Sequence, residues 1–206
     1  VLKKEGYIFM EEINQNSQTS LDFNSEILKP NNEDDLQRII KFCYKKDLPI
    51  EIIGAGTKKD IGRKLQCAKV LDMSNISGIV EYKPEELYIT VKAGTSINLV
   101  KEELKKNNQH LAFEPINFSG IFNKNSNEGT VGGTLACNFS GPRRFKVGSA
   151  RDHILGFKGY NGKGEKIKSG GTVVKNVTGY DLSKLITGSF GTLLAISEIT
   201  LKVLPI

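Results

Sequence analysis

The chain has 206 residues, of which 38% are hydrophobic and 25% charged, and its formal net charge is +6 at pH 7. This length is enough for a buried core, and the apolar runs are too short to span a bilayer as a helix, which argues against membrane insertion. Lysines and arginines are spread along the chain without interleaved aromatic residues, and tryptophan is absent, so the composition also argues against a nucleic-acid-binding protein.

The cysteines and the N-terminal segment favour a cytoplasmic location. Cys43, Cys67 and Cys137 are odd in number and far apart, with no histidines nearby, which predicts reduced thiols and no metal site. Residues 1–17, "VLKKEGYIFMEEINQNS", contain lysines but no apolar stretch of signal-peptide length.

Hydrophobic periodicity predicts helices and strands in alternation along the first half of the chain. Residues 32–47 form an amphipathic helix with Asn32 as its cap, acids in the first turn and lysines at the end. An apolar strand over 48–54 follows and stops at a glycine. Further strands are predicted over 78–82 and 88–94, and a helix over 96–109.

The second half continues the alternation. Two strands over 153–169 are joined at an Asn161-Gly162 turn, a short helix lies around 181–186, and a strand covers 195–205. Interleaved elements predict an α+β protein with α/β layering, which divides near Asn75 into a smaller first lobe and a larger second lobe.

A first glycine cluster, "IIGAGTKKD" at 52–60, follows a predicted strand. It is not a dinucleotide fingerprint, because Lys59 stands where the third glycine would be and no helical stripe follows. Consecutive backbone N–H groups there could curl around an anion, with the Thr57 hydroxyl and Lys58 at hand. The alternative is a simple tight turn.

A second cluster, "GTVGGTLACNFSGPRRF" at 129–145, combines glycines with two arginines. Gly132 and Gly133 would let the backbone approach a flat ligand; a glycine-rich loop that closes a sheet is the alternative. The guanidinium forks of Arg143 and Arg144 suit the carboxylate of a substrate. A salt bridge within the fold or to a partner subunit is the alternative and the simpler interpretation.

With a third cluster at 188–193, these segments stand in an order that resembles the flavin-binding domain of the vanillyl-alcohol oxidase and p-cresol methylhydroxylase superfamily. The resemblance extends from about Ser20 to Pro205, and the matched motifs include "TVGG" and "GSARD". Phe190 and Leu194 depart from the pattern, since many relatives carry Glu and Gly there. The resemblance implies a two-lobed FAD-binding domain over 1–206, with lobes of about 20–74 and 75–206.

The resemblance also implies a set of FAD contacts. The matched positions are Gly54, Ala55, Gly56, Thr57, Lys58, Pro115, Thr130, Val131, Gly132, Gly133, Asn138, Ser140, Gly141, Ser149, Gly191, Ala195 and Ile196. Some superfamily members bond the flavin covalently to a histidine beside the pyrophosphate loop, but here that loop continues into Thr57, Lys58 and Lys59. We therefore expect non-covalent FAD. His153 is expected to be a surface or packing residue, and no catalytic base is assigned.

Within the superfamily, the chain is similar to the family of E subunits of bacterial glycolate oxidase. The segments that carry this similarity are "LAFEP" at 111–115, "SGPRR" at 140–144 and "KNVTGYDL" at 175–182. This similarity implies a complex that oxidises glycolate, a small 2-hydroxy acid, to glyoxylate. Its partners would be a second flavoprotein subunit and an iron–sulfur subunit, which could hold the chain at the inner face of the membrane. The chain ends at "LKVLPI", so we expect it to lack the C-terminal substrate domain that members usually carry.

Two other functions stay open at this stage. One is a non-catalytic FAD subunit that relays electrons or supports assembly. The other is a different flavin oxidoreductase on the same fold, such as a reductase of cell-wall sugar precursors or the flavin subunit of a molybdenum hydroxylase. The words "SGPRR" and "KNVTGYDL" disfavour the second.

Overall fold

The structure, a computed structural model, describes residues 21–118, 129–171 and 179–206. The N-terminal 20 residues lie outside this description, as does the first half of the segment "KNVTGYDL". Helices and strands are mixed throughout, which confirms the predicted α+β class.

A parallel sheet of three strands, in the order β1-β3-β2, occupies the first part of the chain. Its elements are β1 (Ile27–Leu28), α1 (Glu33–Lys45), β2 (Ile50–Ile53) and β3 (Lys69–Asp72), followed by a 3₁₀ turn at Met73–Asn75. The sequence predicted α1 and β2 but not β1 or β3.

Local sequence accounts for α1. The Asn32 side chain accepts a hydrogen bond of 2.8 Å from the Asp35 N–H, which satisfies a donor that the helix leaves unpaired. The apolar stripe of the helix, Leu36, Ile39, Ile40 and Cys43, is buried against the sheet. Tyr160 and Ala195 from the second part of the chain join this same core.

The second part of the chain forms an antiparallel sheet of five strands, in the order β4-β5-β9-β7-β8. These strands are β4 (Ile79–Lys83), β5 (Tyr88–Lys92), β7 (Ile154–Asn161), β8 (Lys166–Gly170) and β9 (Leu194–Lys202), and a small pair joins β6 (Gln109–His110) to β10 (Leu204–Pro205). The helices are α2 (Ile97–Lys105), α3 (Val131–Cys137), α4 (Arg144–Val147), α5 (Ala150–His153) and α6 (Leu182–Ile186). The single strand expected over 195–205 is thus two strands, and α3, α4 and α5 were not predicted.

A network of ion pairs joins the two parts of the chain. Glu33, at the start of α1, accepts hydrogen bonds from Lys92 at 3.1 Å and from Lys166 at 2.7 Å. Lys92 also binds Glu198 at 3.0 Å, and Lys158 binds the other oxygen of Glu198 at 2.6 Å. Burial alone would raise the pKa of Glu33, but the hydrogen bonds from Lys166 and Lys92 outweigh it and lower the pKa to about 2.

The variant Glu33→Gln should unfold about 1–2 kcal/mol more easily at neutral pH, because the two ammonium groups lose their shared carboxylate. The folded pKa of about 2 lies below the ordinary 4.5, so Glu33 stabilises the fold above pH 4.5 and loses this contribution as the pH falls towards 2. Urea unfolding at several pH values should therefore show a flatter acid limb for Glu33→Gln. Glu102→Gln, on the exposed face of α2, is the control, and an equal loss of stability in both variants would contradict the prediction.

Candidate functional site

A cavity of about 660 Å³ lies where the two sheets meet. The first part of the chain contributes the end of β2, the loop that follows it and Met73. The second part contributes Ala93, α3 and the segment before β9. The lining residues are Ile50, Glu51, Ile52, Ile53, Gly54, Ala55, Gly56, Thr57, Lys58, Lys59, Ile61, Gly62, Arg63, Leu65, Met73, Ala93, Thr130, Gly132, Gly133, Ala136, Cys137, Phe190, Gly191, Thr192, Leu194 and Ile196.

The loop at 54–58 carries a run of unused backbone donors. Gly56 has a φ of +66°, a conformation that favours glycine, and the chain turns here after β2 has ended. The N–H groups of Ala55, Gly56, Thr57 and Lys58 make no hydrogen bond to any residue that the structure describes. All four residues line the cavity, so the loop has the composition of an anion-binding nest.

Lys58 adds a positive charge to this loop. Its half-buried ammonium lies 3.5 Å from the Thr57 hydroxyl and 5.6 Å from the centre of the Phe118 ring. No carboxylate in the described parts of the chain pairs with it. Burial lowers the pKa of Lys58, and the nearby Cys137 opposes that shift; burial likewise raises the pKa of the Cys137 thiol. Among the described residues, the Lys58 ammonium therefore has no counter-ion, which favours an anionic ligand in the cavity.

The glycine pair at 132–133 lies in the helix α3 and not in a loop that closes a sheet. Both glycines line the cavity, so their approach to a flat ligand stays a prediction. Thr130 caps α3 by accepting a hydrogen bond of 3.2 Å from the Gly133 N–H. The N–H groups of Val131 and Gly132 donate to Thr95 and Ala93, which fixes the helix to the end of β5. These donors serve the fold and are not available to a ligand.

Close packing explains why position 132 needs glycine. A Cβ at Gly132 would lie 2.9 Å from both the Cβ and the carbonyl oxygen of Ala93, closer than real Cβ contacts come. A Cβ at Gly133 would meet only the Thr130 hydroxyl, at 3.2 Å, and the Lys58 ammonium, at 4.0 Å. Gly132 therefore allows the helix to approach the strand, whereas Gly133 faces the cavity.

The first two glycine clusters, at 52–60 and 129–145, lie in contact with each other. A Cβ at Gly54 would overlap the Thr130 side chain, and a Cβ at Gly129 would lie 3.0 Å from the Thr57 hydroxyl and 3.3 Å from the Lys58 ammonium. The loop at 54–58 thus packs directly on the segment that begins α3, and both contribute to one wall of the cavity.

The third glycine cluster closes the cavity at the other end of α3. The N–H groups of Gly188 and Phe190 donate to the carbonyl oxygens of Leu135 and Ala136, in the last turn of α3. Phe190 takes a φ of +54° although it is not glycine, and its ring stands edge-on to Phe139 at 6.2 Å between centres. Phe190, Gly191 and Ile196 line the cavity, as does Leu194, the second departure from the family pattern.

Several predicted contacts lie outside the lining of this cavity. They are Pro115, Val131, Asn138, Ser140, Gly141, Ser149 and Ala195. Val131 and Ala195 are core residues. The Ser140 hydroxyl accepts a hydrogen bond of 2.9 Å from the Ala150 N–H, and Asn138 accepts one of 3.1 Å from the Arg151 N–H. These polar groups shape the chain between α3 and α5.

Arg143, Arg144 and His153 also lie outside the cavity lining. Both arginines are exposed, and neither forms an ion pair with a described residue. His153 is buried, packs on Phe113 with ring centres 5.4 Å apart, and donates through Nε2 to the Val147 carbonyl at 2.9 Å. It is a packing residue, as expected.

Sequence analysis missed the apolar part of the site. Ile50, Ile52, Met73, Ala93 and Cys137 line the cavity, although none was among the predicted FAD contacts. The alternation within 48–54 could have indicated that Ile50 and Ile52 share one face of a strand. In the described residues, no group of His, Cys, Asp or Glu could hold a metal, and no helix there is long and apolar enough to cross a membrane.

The chain matches the family model described as "FAD binding domain" over residues 25–170. It is 41% identical to glycolate oxidase subunit GlcE of Escherichia coli over 76% of the chain and 43% of that protein. It is 30% identical to subunit GlcD of Bacillus subtilis, over 87% of the chain and 37% of that protein. An alkyldihydroxyacetonephosphate synthase structure matches with a TM-score of 0.67 at 20% identity, over 87% of the chain and 31% of that chain, which supports the fold.

The chain therefore belongs to the FAD-binding domain family, and its cofactor is FAD. It spans less than half the length of either glycolate oxidase subunit that it matches. The geometry fits the cofactor: FAD has an anionic diphosphate, and the cavity offers four unpaired N–H groups together with the unpaired Lys58 ammonium.

The packing of α3 predicts opposite outcomes for its two glycines. Gly132→Ala should lower the free energy of unfolding by about 1–3 kcal/mol, because the new methyl group meets the Ala93 backbone. Gly133→Ala should change it by less than about 1 kcal/mol, since the better helix propensity of alanine offsets the contact with Thr130. Denaturant unfolding of both variants tests the pair, and equal stabilities would contradict this account of Gly132.

Proposed function

We propose that the chain binds FAD non-covalently, with the diphosphate against the loop at 54–58. The observation that carries the proposal is the run of four unpaired N–H groups beside an ammonium that lacks a counter-ion. Charge-assisted hydrogen bonds of this kind are about twice as strong as neutral ones. The Thr57 hydroxyl, which is buried beside the ammonium, would complete the set of donors.

We further propose that the whole of 1–206 is the FAD-binding domain, with lobes of about 20–74 and 75–206. The change from the parallel to the antiparallel sheet between Asp72 and Ile79 supports this division. The cavity draws residues from both sides of it. FAD would then stabilise the arrangement of the lobes by binding to both.

The proposed activity of the complete protein is FAD-dependent oxidation of a 2-hydroxy acid, glycolate, to the corresponding 2-oxo acid. Support comes from 41% identity to a glycolate oxidase subunit over three quarters of the chain. When bound, FAD supplies the acceptor for the hydride equivalent that leaves the hydroxyl-bearing carbon. This chain would contribute the cradle: the loop at 54–58 binds and neutralises the diphosphate, and Ile52, Met73 and Ile196 exclude water from the cavity.

The complete enzyme would need further subunits. Similarity to both GlcE and GlcD proteins supports a complex with a second flavoprotein subunit, and an iron–sulfur subunit would pass the electrons on. Such partners would also hold the chain at the inner face of the membrane.

A second candidate is a non-catalytic FAD subunit that relays electrons or supports assembly. One observation favours it: the described residues that line the cavity include no histidine, and Glu51, their one carboxylate, lies 3.7 Å from the Lys59 ammonium. The described cavity lining therefore offers no histidine and no unpaired carboxylate that could accept the proton of the substrate hydroxyl.

The variant Lys58→Met should bind FAD about 10–100 times more weakly, because it removes a charge-assisted contact to the diphosphate but keeps the length of the side chain. Lys59→Met is the matched control, since Lys59 lines the same cavity but is paired with Glu51. Titration calorimetry with FAD measures both affinities, and acid precipitation should release the flavin into the supernatant. Equal losses in the two variants would argue against the proposed diphosphate site, and flavin retained in the pellet would argue against non-covalent binding.

The FAD-loaded chain alone should be reduced by glycolate only slowly, because the described cavity lining supplies no proton acceptor. Adding the second flavoprotein and iron–sulfur subunits should restore rapid reduction. Anaerobic loss of the oxidised flavin absorbance measures both rates, with D-lactate as the comparison substrate. Rapid reduction of the chain alone would make it a self-sufficient enzyme. Slow reduction of its own flavin even in the full complex would favour the relay function.

A further inference from the structure

The turn at 143–146, here called the basic turn, presents its side chains entirely to solvent. It consists of Arg143, which precedes α4, and the first three residues of that helix, Arg144, Phe145 and Lys146. The Phe145 side chain is 96% exposed, and no residue of α4 is buried. An aromatic ring so exposed, among cations, marks a surface that is suited to contact with another molecule.

The basic turn is held in place by groups outside it. At its start, the Arg143 N–H donates to the Glu114 carboxylate at 3.1 Å, and the Gly141 N–H donates to the Phe113 carbonyl at 3.0 Å. At its end, the buried His153 ring donates to the Val147 carbonyl at 2.9 Å. The fold thus fixes the backbone that carries this exposed ring, and a fixed backbone lowers the entropic cost of binding.

The charge of the basic turn is not neutralised within the described parts of the chain. Arg143, Arg144 and Lys146 form no ion pair there, whereas Lys92, Lys158 and Lys166 are all paired with Glu33 or Glu198. Burial, and after it the charge of Arg143, lower the pKa of His110, while the Glu114 carboxylate opposes that shift.

We propose that the basic turn is a docking surface for an acidic protein partner that offers an apolar pocket for the Phe145 ring. Arginine and aromatic side chains carry most of the energy in protein interfaces, and complementary charge speeds and orients the encounter. An anionic lipid surface fits less well, because α4 has four residues and presents one apolar side chain instead of an apolar face.

The identity of the partner rests on the proposed function: the acidic face would belong to another subunit of the same enzyme. No residue of the basic turn lines the cavity. Variants of the turn should therefore leave FAD affinity unchanged. Loss of FAD binding by the unaltered chain would count against the proposed function alone.

The absence of tryptophan from the chain provides a direct probe, since Phe145→Trp introduces a single indole. Its emission should be red-shifted and quenched by iodide in the chain alone. It should shift to the blue and lose iodide access when the second flavoprotein subunit or the iron–sulfur subunit of the same organism is added. An indole that stays exposed when either subunit binds would overturn the proposal, as would the absence of binding to either subunit.

Affinity measurements give a second test that does not depend on the indole. Phe145→Ser and Arg144→Glu should each weaken the complex by about tenfold or more, and added salt should weaken the unaltered complex. Leu99→Ser and Lys105→Glu are matched controls, because both residues are exposed on α2. Equal affinities for test and control variants would overturn the proposal. So would binding only to anionic vesicles, or protection of the indole within a longer form of the chain that has no partner bound.

Discussion

The contact between the loop at 54–58 and the start of α3 is the constraint on which the site depends. Gly54 leaves no room for a side chain beside Thr130, and Gly129 lies close to Thr57 and Lys58. Residues more than 70 positions apart in sequence therefore form one wall of the cavity. The Glu33 ion pairs connect α1 to β5 and β8, and Tyr160 shares a core with α1. Both interactions help to keep the two parts of the chain in the relative position that this contact requires.

The lysines of this basic chain differ in whether they pair with a carboxylate of the described residues. Three lysines form ion pairs with Glu33 or Glu198, and these pairs stabilise the fold; they are Lys92, Lys158 and Lys166. Lys58 lies half-buried without such a partner, beside N–H groups that are also unused. A buried cation costs free energy unless an anion accompanies it, and the diphosphate of FAD would supply the missing charge. Because some lysines stabilise the fold and Lys58 lies at the cavity, the net charge alone says little about function.

The elements that could be predicted from sequence are those that local interactions determine. The cap and apolar stripe of α1 can be identified directly, and the helices predicted over 32–47 and 96–109 are both present. The helix α3 could not be foreseen, because two glycines lower its propensity and its first turn is held by Thr95 and Ala93, which are far away in sequence. The family likeness identified the loop at 54–58, but it could not show that Asn138 and Ser140 hydrogen-bond to α5.

The two clusters of unpaired charge differ in their surroundings, and this difference separates their functions. Lys58 lies in a cavity with apolar walls, where a charge is costly and an anion can be held away from water. The basic turn stands in solvent, where charges are screened and each alone contributes little. There the exposed Phe145 ring would supply most of the binding energy of the proposed contact, and the cations would mainly select and orient the partner. Separate surfaces would allow the chain to keep its cofactor while the proposed subunit contacts form and dissociate.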